Sequence, residues 1–180
     1  NRGVPGGRNR LLKTILPHLP EDGLVVFLDN DVELQPGWYE PFLDLFKAQP
    51  EVGVAGAHGH PFIVLAEDRA LLPAPEAGPT PVDVVTGFCF WVRAGAARSI
   101  GLFDERLGRF WHEDDDYCVR ALAAGWEVYA LPGAALIHHE HKSGIAEPGV
   151  IAQGGSPENR RYLVHKWRKL GFVDELGSIV

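Results

Sequence analysis

Apolar positions fall into a few clear patterns along the chain. Leu11, Leu12, Ile15 and Leu16 recur at helical spacing after an Asn1–Gly7 stretch that reads as a loop, and Pro17 stops that helix. Leu24 to Leu28 is an unbroken apolar run ending in Asp29, the pattern of a strand buried on both faces as in a parallel sheet. Pro36-Gly37 breaks the chain. Trp38, Phe42, Leu45 and Phe46 then mark one face of a helix that ends before Pro50, with Pro41 in its first turn. Val52 to Ala57 reads as a second strand, and residues 58–81, carrying Pro61, Pro73, Pro75, Pro79 and Pro81, as a long irregular excursion.

A third strand spans Val82 to Val92 with an interruption at Gly87, and Ala94 to Ile100 is a short helix. The run Glu113-Asp114-Asp115-Asp116 opens another helix, because its dipole favours negative charge in the first turn. Val119, Leu122 and Ala123 form its stripe, and Gly125 suits the C′ position. Trp126 to Leu131 is a strand closed by Pro132. The last helix has Ser156 as N-cap and Pro157 at its first position, and runs to Leu170 before Gly171. Its Arg160, Arg161, Lys166, Arg168 and Lys169 give the only basic face. There is no internal repeat.

This alternation of strand and helix predicts one α/β domain. Its 180 residues, 46% of them hydrophobic, suffice for a real core. Seventeen basic residues against 24 acidic ones leave a net charge of −7, which argues against a nucleic-acid partner. No apolar run reaches the length of a membrane span. Cys89 and Cys118 sit in apolar surroundings and read as buried thiols of a reducing compartment. The chain has no Met and starts directly on a Gly-rich stretch, so it reads as the continuation of a longer sequence.

Four groups could carry chemistry. Asp29-Asn30-Asp31 follows a strand, where ligands bind in open α/β sheets. Two carboxylates one residue apart suit Mg²⁺ or Mn²⁺, although they could equally cap the next turn. Glu113 to Asp116 is either a solvated helix start or a site. Trp111 just upstream offers an aromatic platform for a sugar ring, and Arg120 can pair back to Asp116. His138-His139-Glu140-His141 lacks the partners of a closed zinc site, so a single His joining a site built elsewhere competes with a surface patch. Gly3, Gly6 and Gly7 before a helix could meet an anion through backbone N–H groups, but match no phosphate-binding fingerprint.

Taken in order, these pieces resemble the family-2 inverting glycosyltransferases of the GT-A fold, in particular the non-processive, rhamnosyltransferase-like bacterial members. Asn1-Arg2-Gly3 with Gly7-Arg8-Asn9 is similar to the family's nucleotide-side loop, and Leu28-Asp29-Asn30-Asp31 followed by Pro36-Gly37-Trp38 to its DxD motif. Val85-Thr86-Gly87 with Arg93 resembles the strand beneath the acceptor. Gly101-Leu102-Phe103-Asp104-Glu105 and Glu113-Asp114-Asp115-Asp116 match the GLFDE…EDxD pattern, and His138, Ser143 and Lys166-Trp167 follow in order. Three features depart from the family: the strand–helix units that precede the first loop are absent, His112 stands where many members carry Thr, and the Gln-x-x-Arg-Trp signature of processive polymerases is missing.

The resemblance implies an N-terminally truncated α/β/α sandwich around a mostly parallel sheet. Within the single domain 1–180, residues 1–57 form a donor and metal half, 82–145 an acceptor and catalytic half, and 156–170 the C-terminal helix. It implies metal-dependent inverting transfer of a hexosyl or deoxyhexosyl group from a nucleoside-diphosphate-sugar to a hydroxyl of a glycan or lipid-linked acceptor. Asp114 would be the general base and Glu113 its assistant. Asn1, Gly3, Asn9, Asp29 and Asn30 would bind donor, and Asp31 with His138 would hold Mn²⁺ or Mg²⁺, His141 being the alternative ligand. Trp111, Gly87 and Asp116 would bind acceptor. A cytoplasmic location is implied, with peripheral association at the inner membrane face compatible with a lipid-linked acceptor. A non-catalytic sugar- or nucleotide-binding module is the alternative, and a metal-dependent hydrolase a more distant one.

Overall fold

The computed structural model describes residues 3–65, 68–71, 77–108, 111–139 and 157–174. Asn1, His141, Ser143 and the Ser156 cap lie outside them. The helices are α1 (Gly3–Ile15), α2 (Glu40–Ala48), α3 (Ala94–Ile100), α4 (Glu113–Ala123) and α5 (Pro157–Lys169). The strands are β1 (Leu24–Leu28), β2 (Val32–Leu34), β3 (Val52–Gly56), β4 (Gly59–His60), β5 (Phe62–Leu65), β6 (Asp68–Leu71), β7 (Thr80–Pro81), β8 (Val84–Val85), β9 (Cys89–Arg93), β10 (Glu127–Ala130) and β11 (Leu136–His138).

The fold is α/β, as the alternation predicts, but its central sheet is mixed rather than mostly parallel. Strand order is β1-β9-β3-β10-β7, and only β3 and β10 pair in parallel. β9 runs antiparallel between β1 and β3, and β7 antiparallel along β10. β1, β3 and β10 still point the same way. The apolar runs thus indicate burial on both faces correctly. They do not encode direction, which an interposed strand reverses.

Alternation along β9 divides the core. Phe90 and Val92 face a layer with Leu12, Tyr117, Leu163 and Trp167 from α1, α4 and α5. Cys89 and Trp91 face Phe42, Leu45 and Phe46 of α2, where the Phe42 and Trp91 rings stack at 5.0 Å. Helices therefore cover both sides, and each fully buried large side chain contributes roughly 1.5–3 kcal/mol. Both cysteines are buried free thiols.

Two further elements differ from expectation. α1 begins at Gly3, so Gly3, Gly6 and Gly7 belong to the helix and not to a loop ahead of it; Pro5 is tolerated because it lies in the first turn. The 58–81 excursion contains the paired strands β5 and β6, and its strand β4 pairs with β8 just beyond it. Among the described residues no helix is long and apolar enough to cross a membrane.

Candidate active site

β1 delivers Asp29 to the sheet edge, and the β1–β9 ladder extends one step further as the Asp29 N–H donates to the Phe88 carbonyl at 2.9 Å. The chain turns and pairs β2 with β11, which sets His138 opposite Val32, and the His139 N–H closes onto the Asp31 carbonyl at 2.9 Å. That register carries His138 across more than a hundred residues to Asp31, with Nε2 3.4 Å from Oδ1. One ligand atom from each of Asp29, Asp31 and His138 lies within 4.8 Å of the others.

Asp29 is exposed at the rim, while Asp31 and His138 are half-buried, so the group opens to solvent. Crowding by neighbouring atoms nevertheless raises the Asp29 pKa, helped by the charge of Asp31 and opposed by Arg8 and His138. Two carboxylates and an imidazole, mutually repelling in part and open on one side, form a donor set that fits a divalent cation with coordination positions left for water or phosphate. Asn30 is exposed in the turn between them.

The acidic run has the opposite character from a solvated helix start. Trp111 and His112 take left-handed backbone angles, φ 82° and 70°, and swing the chain so that α4 begins inside the protein. His112 is buried, with Nδ1 2.8 Å from Asp115 Oδ2. Glu113 is buried as well. Desolvation, reinforced by the charge of Asp114, lifts its pKa well above the ordinary carboxylate range, against the pull of Arg8. Asp114 is half-buried; its Oδ2 accepts the Gly87 N–H at 2.8 Å and its Oδ1 accepts the Asp115 N–H at 3.0 Å.

Gly87 therefore braces Asp114 through its backbone. A Cβ there would meet Arg8 Nη2 at 2.8 Å and Asp114 Oδ2 at 3.3 Å, so a larger residue would displace the Arg8 guanidinium that donates to the Gly87 carbonyl. Because Phe88 O receives Asp29 and Gly87 N serves Asp114, two adjacent residues join the Asp29–Asp31 turn to the Glu113–Asp114 helix start. Trp111, half-buried, precedes that start directly.

Several expected ligand-binding residues serve the fold instead. Asp116 is completely buried and accepts hydrogen bonds from Arg120 Nε at 2.9 Å, Lys166 Nζ at 2.6 Å and Trp167 Nε1 at 3.1 Å, which leaves nothing for an acceptor. The expected pairing of Arg120 with Asp116 is present. Asn9 is buried and exchanges hydrogen bonds with the Phe103 backbone while donating to Glu105, so its amide ties α1 to the segment that follows α3. Arg93 binds the carbonyls of Phe46, Gln49 and Val52 and fastens the end of α2. Gly3 lies at the start of α1, and Asn1 lies outside the described residues.

Arg8, which stands in the Gly7-Arg8-Asn9 motif without an assigned role, has a structural part of its own. It is buried, donates to the Gly87 carbonyl at 2.8 Å and pairs with Glu113 at 3.5 Å. Its guanidinium lies 5.3–5.5 Å from the ring centres of Phe27, Phe90 and Phe103. The available signal was its place on the buried stripe Pro5, Arg8, Asn9, Leu12 of α1, where helical spacing calls for apolar side chains.

No family model matches the chain. Two curated proteins of Mycobacterium tuberculosis, from strains CDC 1551 / Oshkosh and ATCC 25618 / H37Rv, are each named N-acetylglucosaminyl-diphospho-decaprenol L-rhamnosyltransferase. Each is 27% identical to this chain over 155 residues, covering 71% of it and 50% of the relative. The chain thus spans about half the length of the curated relatives it matches. Among solved structures, a crystal structure of GalNAc-T7 with UDP, GalNAc and Mn²⁺ superposes with a TM-score of 0.67 at 16% identity, covering 95% of this chain and 37% of the other. At that identity the likeness is one of architecture, and the architecture of this chain is the GT-A fold.

Proposed function

We propose that the chain is the core of a metal-dependent, inverting glycosyltransferase that moves a sugar from a nucleoside-diphosphate-sugar to a hydroxyl of a saccharide or lipid-linked glycan. One observation carries this reading: a cation-fitting triad and a braced carboxylate stand on either side of the Gly87–Phe88 dipeptide. Inverting transfer needs those two groups on opposite sides of one anomeric carbon. The names of the M. tuberculosis relatives support a deoxyhexose donor and a diphospho-lipid acceptor. A lipid acceptor in turn fits action at the inner face of the membrane.

In the proposed reaction an acceptor oxygen forms a bond to the anomeric carbon as the carbon–oxygen bond to the diphosphate breaks. Asp114 takes the acceptor proton. Hydrogen bonds to both its oxygens fix its orientation, and general-base catalysis of this kind supplies roughly 10²–10⁴-fold. Asp31 and His138 would hold Mn²⁺ or Mg²⁺, with Asp29 directed to the ribose or a bound water. Bound there, the cation would supply Lewis-acid neutralisation of the departing diphosphate. Burial raises the Glu113 pKa against the pull of Arg8, so the carboxyl next to Asp114 gives up its proton less readily than an ordinary glutamate.

The test is calorimetric titration of nucleoside diphosphates in Mn²⁺ and in chelator. Mn²⁺ should strengthen binding, and Asp31→Asn should abolish the difference. Equal affinity in both conditions removes the metal from the reading. Incubation with nucleotide-sugars and a lipid-diphospho-N-acetylglucosamine, followed by mass spectrometry, should show a glycosylated lipid. Hydrolysed donor without glycosylated acceptor would count against transfer.

A further inference from the structure

Phe88 belongs to neither carboxylate motif, yet it touches the metal side twice. Its carbonyl accepts the Asp29 N–H, and its buried ring lies nearly parallel to the His138 imidazole, with centroids 4.2 Å apart and planes at 15°. The same ring also makes a T-shaped contact with His58, with centroids 5.5 Å apart. The β2–β11 ladder fixes the backbone of His138 but leaves its two side-chain torsions to be set by something else. Ligating histidines are usually oriented by a hydrogen bond from the second ring nitrogen. Here the orienting contact among the described residues is a stacked aromatic ring.

We infer that Phe88 is a positioning residue of the metal centre: its ring sets the plane in which His138 presents Nε2 to Asp31. Because it directly follows Gly87, the same dipeptide keeps that ligand in register with Asp114. The inference rests on reading Asp29, Asp31 and His138 as a divalent-cation site. Loss of the ring gives the imidazole additional rotamers, only one of which faces the carboxylates, so affinity falls although every ligand remains. An aromatic stacking contact corresponds to roughly a 2- to 12-fold effect on that equilibrium.

The experiment is Mn²⁺ binding, followed through the electron paramagnetic resonance of the free ion, for the whole 180-residue chain and its variants. Phe88→Leu should weaken Mn²⁺ by roughly 2- to 12-fold, Phe88→Tyr should restore affinity, and Phe88→Leu should do nothing further in a His138→Ala background. Wild-type affinity in Phe88→Leu overturns the inference, as does an equal loss in both backgrounds. Wild-type protein that binds no Mn²⁺ overturns the cation site itself and the inference with it, a pattern distinct from the other two. A measurement on wild-type protein covers the case in which the leucine variant does not fold. During a titration with diamagnetic Mg²⁺, the ring resonances of Phe88 and His138 should shift together with one dissociation constant. A His138 shift with Phe88 unmoved contradicts the coupling.

Discussion

Lys166 of α5 sits between two carboxylates, 2.6 Å from Asp116 Oδ1 and 2.9 Å from Asp104 Oδ2. Replacing it by Met keeps most of the stem's apolar contact and deletes the charge. Asp116, wholly buried, would retain Arg120 and Trp167, and Asp104 would retain Arg106 and Tyr162. Neither carboxylate is orphaned, so the cost falls short of the 3–5 kcal/mol of a broken buried ion pair. One charge-assisted hydrogen bond to a fully buried acceptor is lost, together with a weaker one, which gives about 2 kcal/mol. With a urea m-value of about 2 kcal/mol/M, the unfolding midpoint should drop by about 1 M.

The acid limb provides a second readout of the same variant. Burial alone would raise the Asp104 pKa, but hydrogen bonds from Arg106, Lys166 and Tyr162 outweigh it and hold the group below its ordinary 3.8. Its contribution to stability is therefore present above pH 3.8 and lost as pH falls through the depressed folded value. The methionine variant should show a shallower acid loss. A midpoint within about 0.2 M of wild type, or strict additivity of Lys166→Met with Asp116→Asn, would refute the reasoning.

Two other outcomes are expected. Asp114→Asn offers one acceptor where the carboxylate offers two, so it should cost about 1 kcal/mol of stability; in a transfer assay it should lower turnover by roughly 10²-fold or more with donor affinity nearly unchanged. Wild-type turnover would move the base to Glu113 or Asp115. Glu113 has a folded pKa above its ordinary 4.5, so its contribution is complete below pH 4.5 and is lost as pH rises through the raised value. Glu113→Gln should accordingly flatten the decline of stability above pH 4.5, and parallel curves for the two proteins would contradict the assignment.

The elements that were legible in the sequence are those whose signals are local. α2, α3, α4 and β10 follow from apolar spacing and from Gly125 or Pro132 at their ends. The direction of β9 was not legible, because insertion of a strand between β1 and β3 is a property of the chain path and leaves no mark on composition. The β5–β6 pairing was hidden for a different reason: the prolines around it resemble a loop from end to end. In the site, the Asp29–Asp31 turn announces itself at a strand end. His138 joins it only through the β2–β11 register, a contact between residues more than a hundred positions apart that spacing cannot express.

Charge runs carry a more general lesson. Four consecutive acidic residues look interchangeable in sequence, but on a helix their 100° increments send them to different surroundings. Asp116 lies one turn ahead of Arg120 and points into the layer that also receives Tyr117, so it becomes the buried anchor for α5. Asp114, two residues earlier, points toward Gly87. Arg8 inverts the argument. A lone arginine on an apolar stripe is fully buried only when its charge is matched, so its position in the sequence already demanded a carboxylate from elsewhere in the chain. Glu113 is that carboxylate, and the charge of Arg8 also reaches Asp29 on the metal side. A single buried cation thus lowers the electrostatic cost of gathering acidic groups around Gly87.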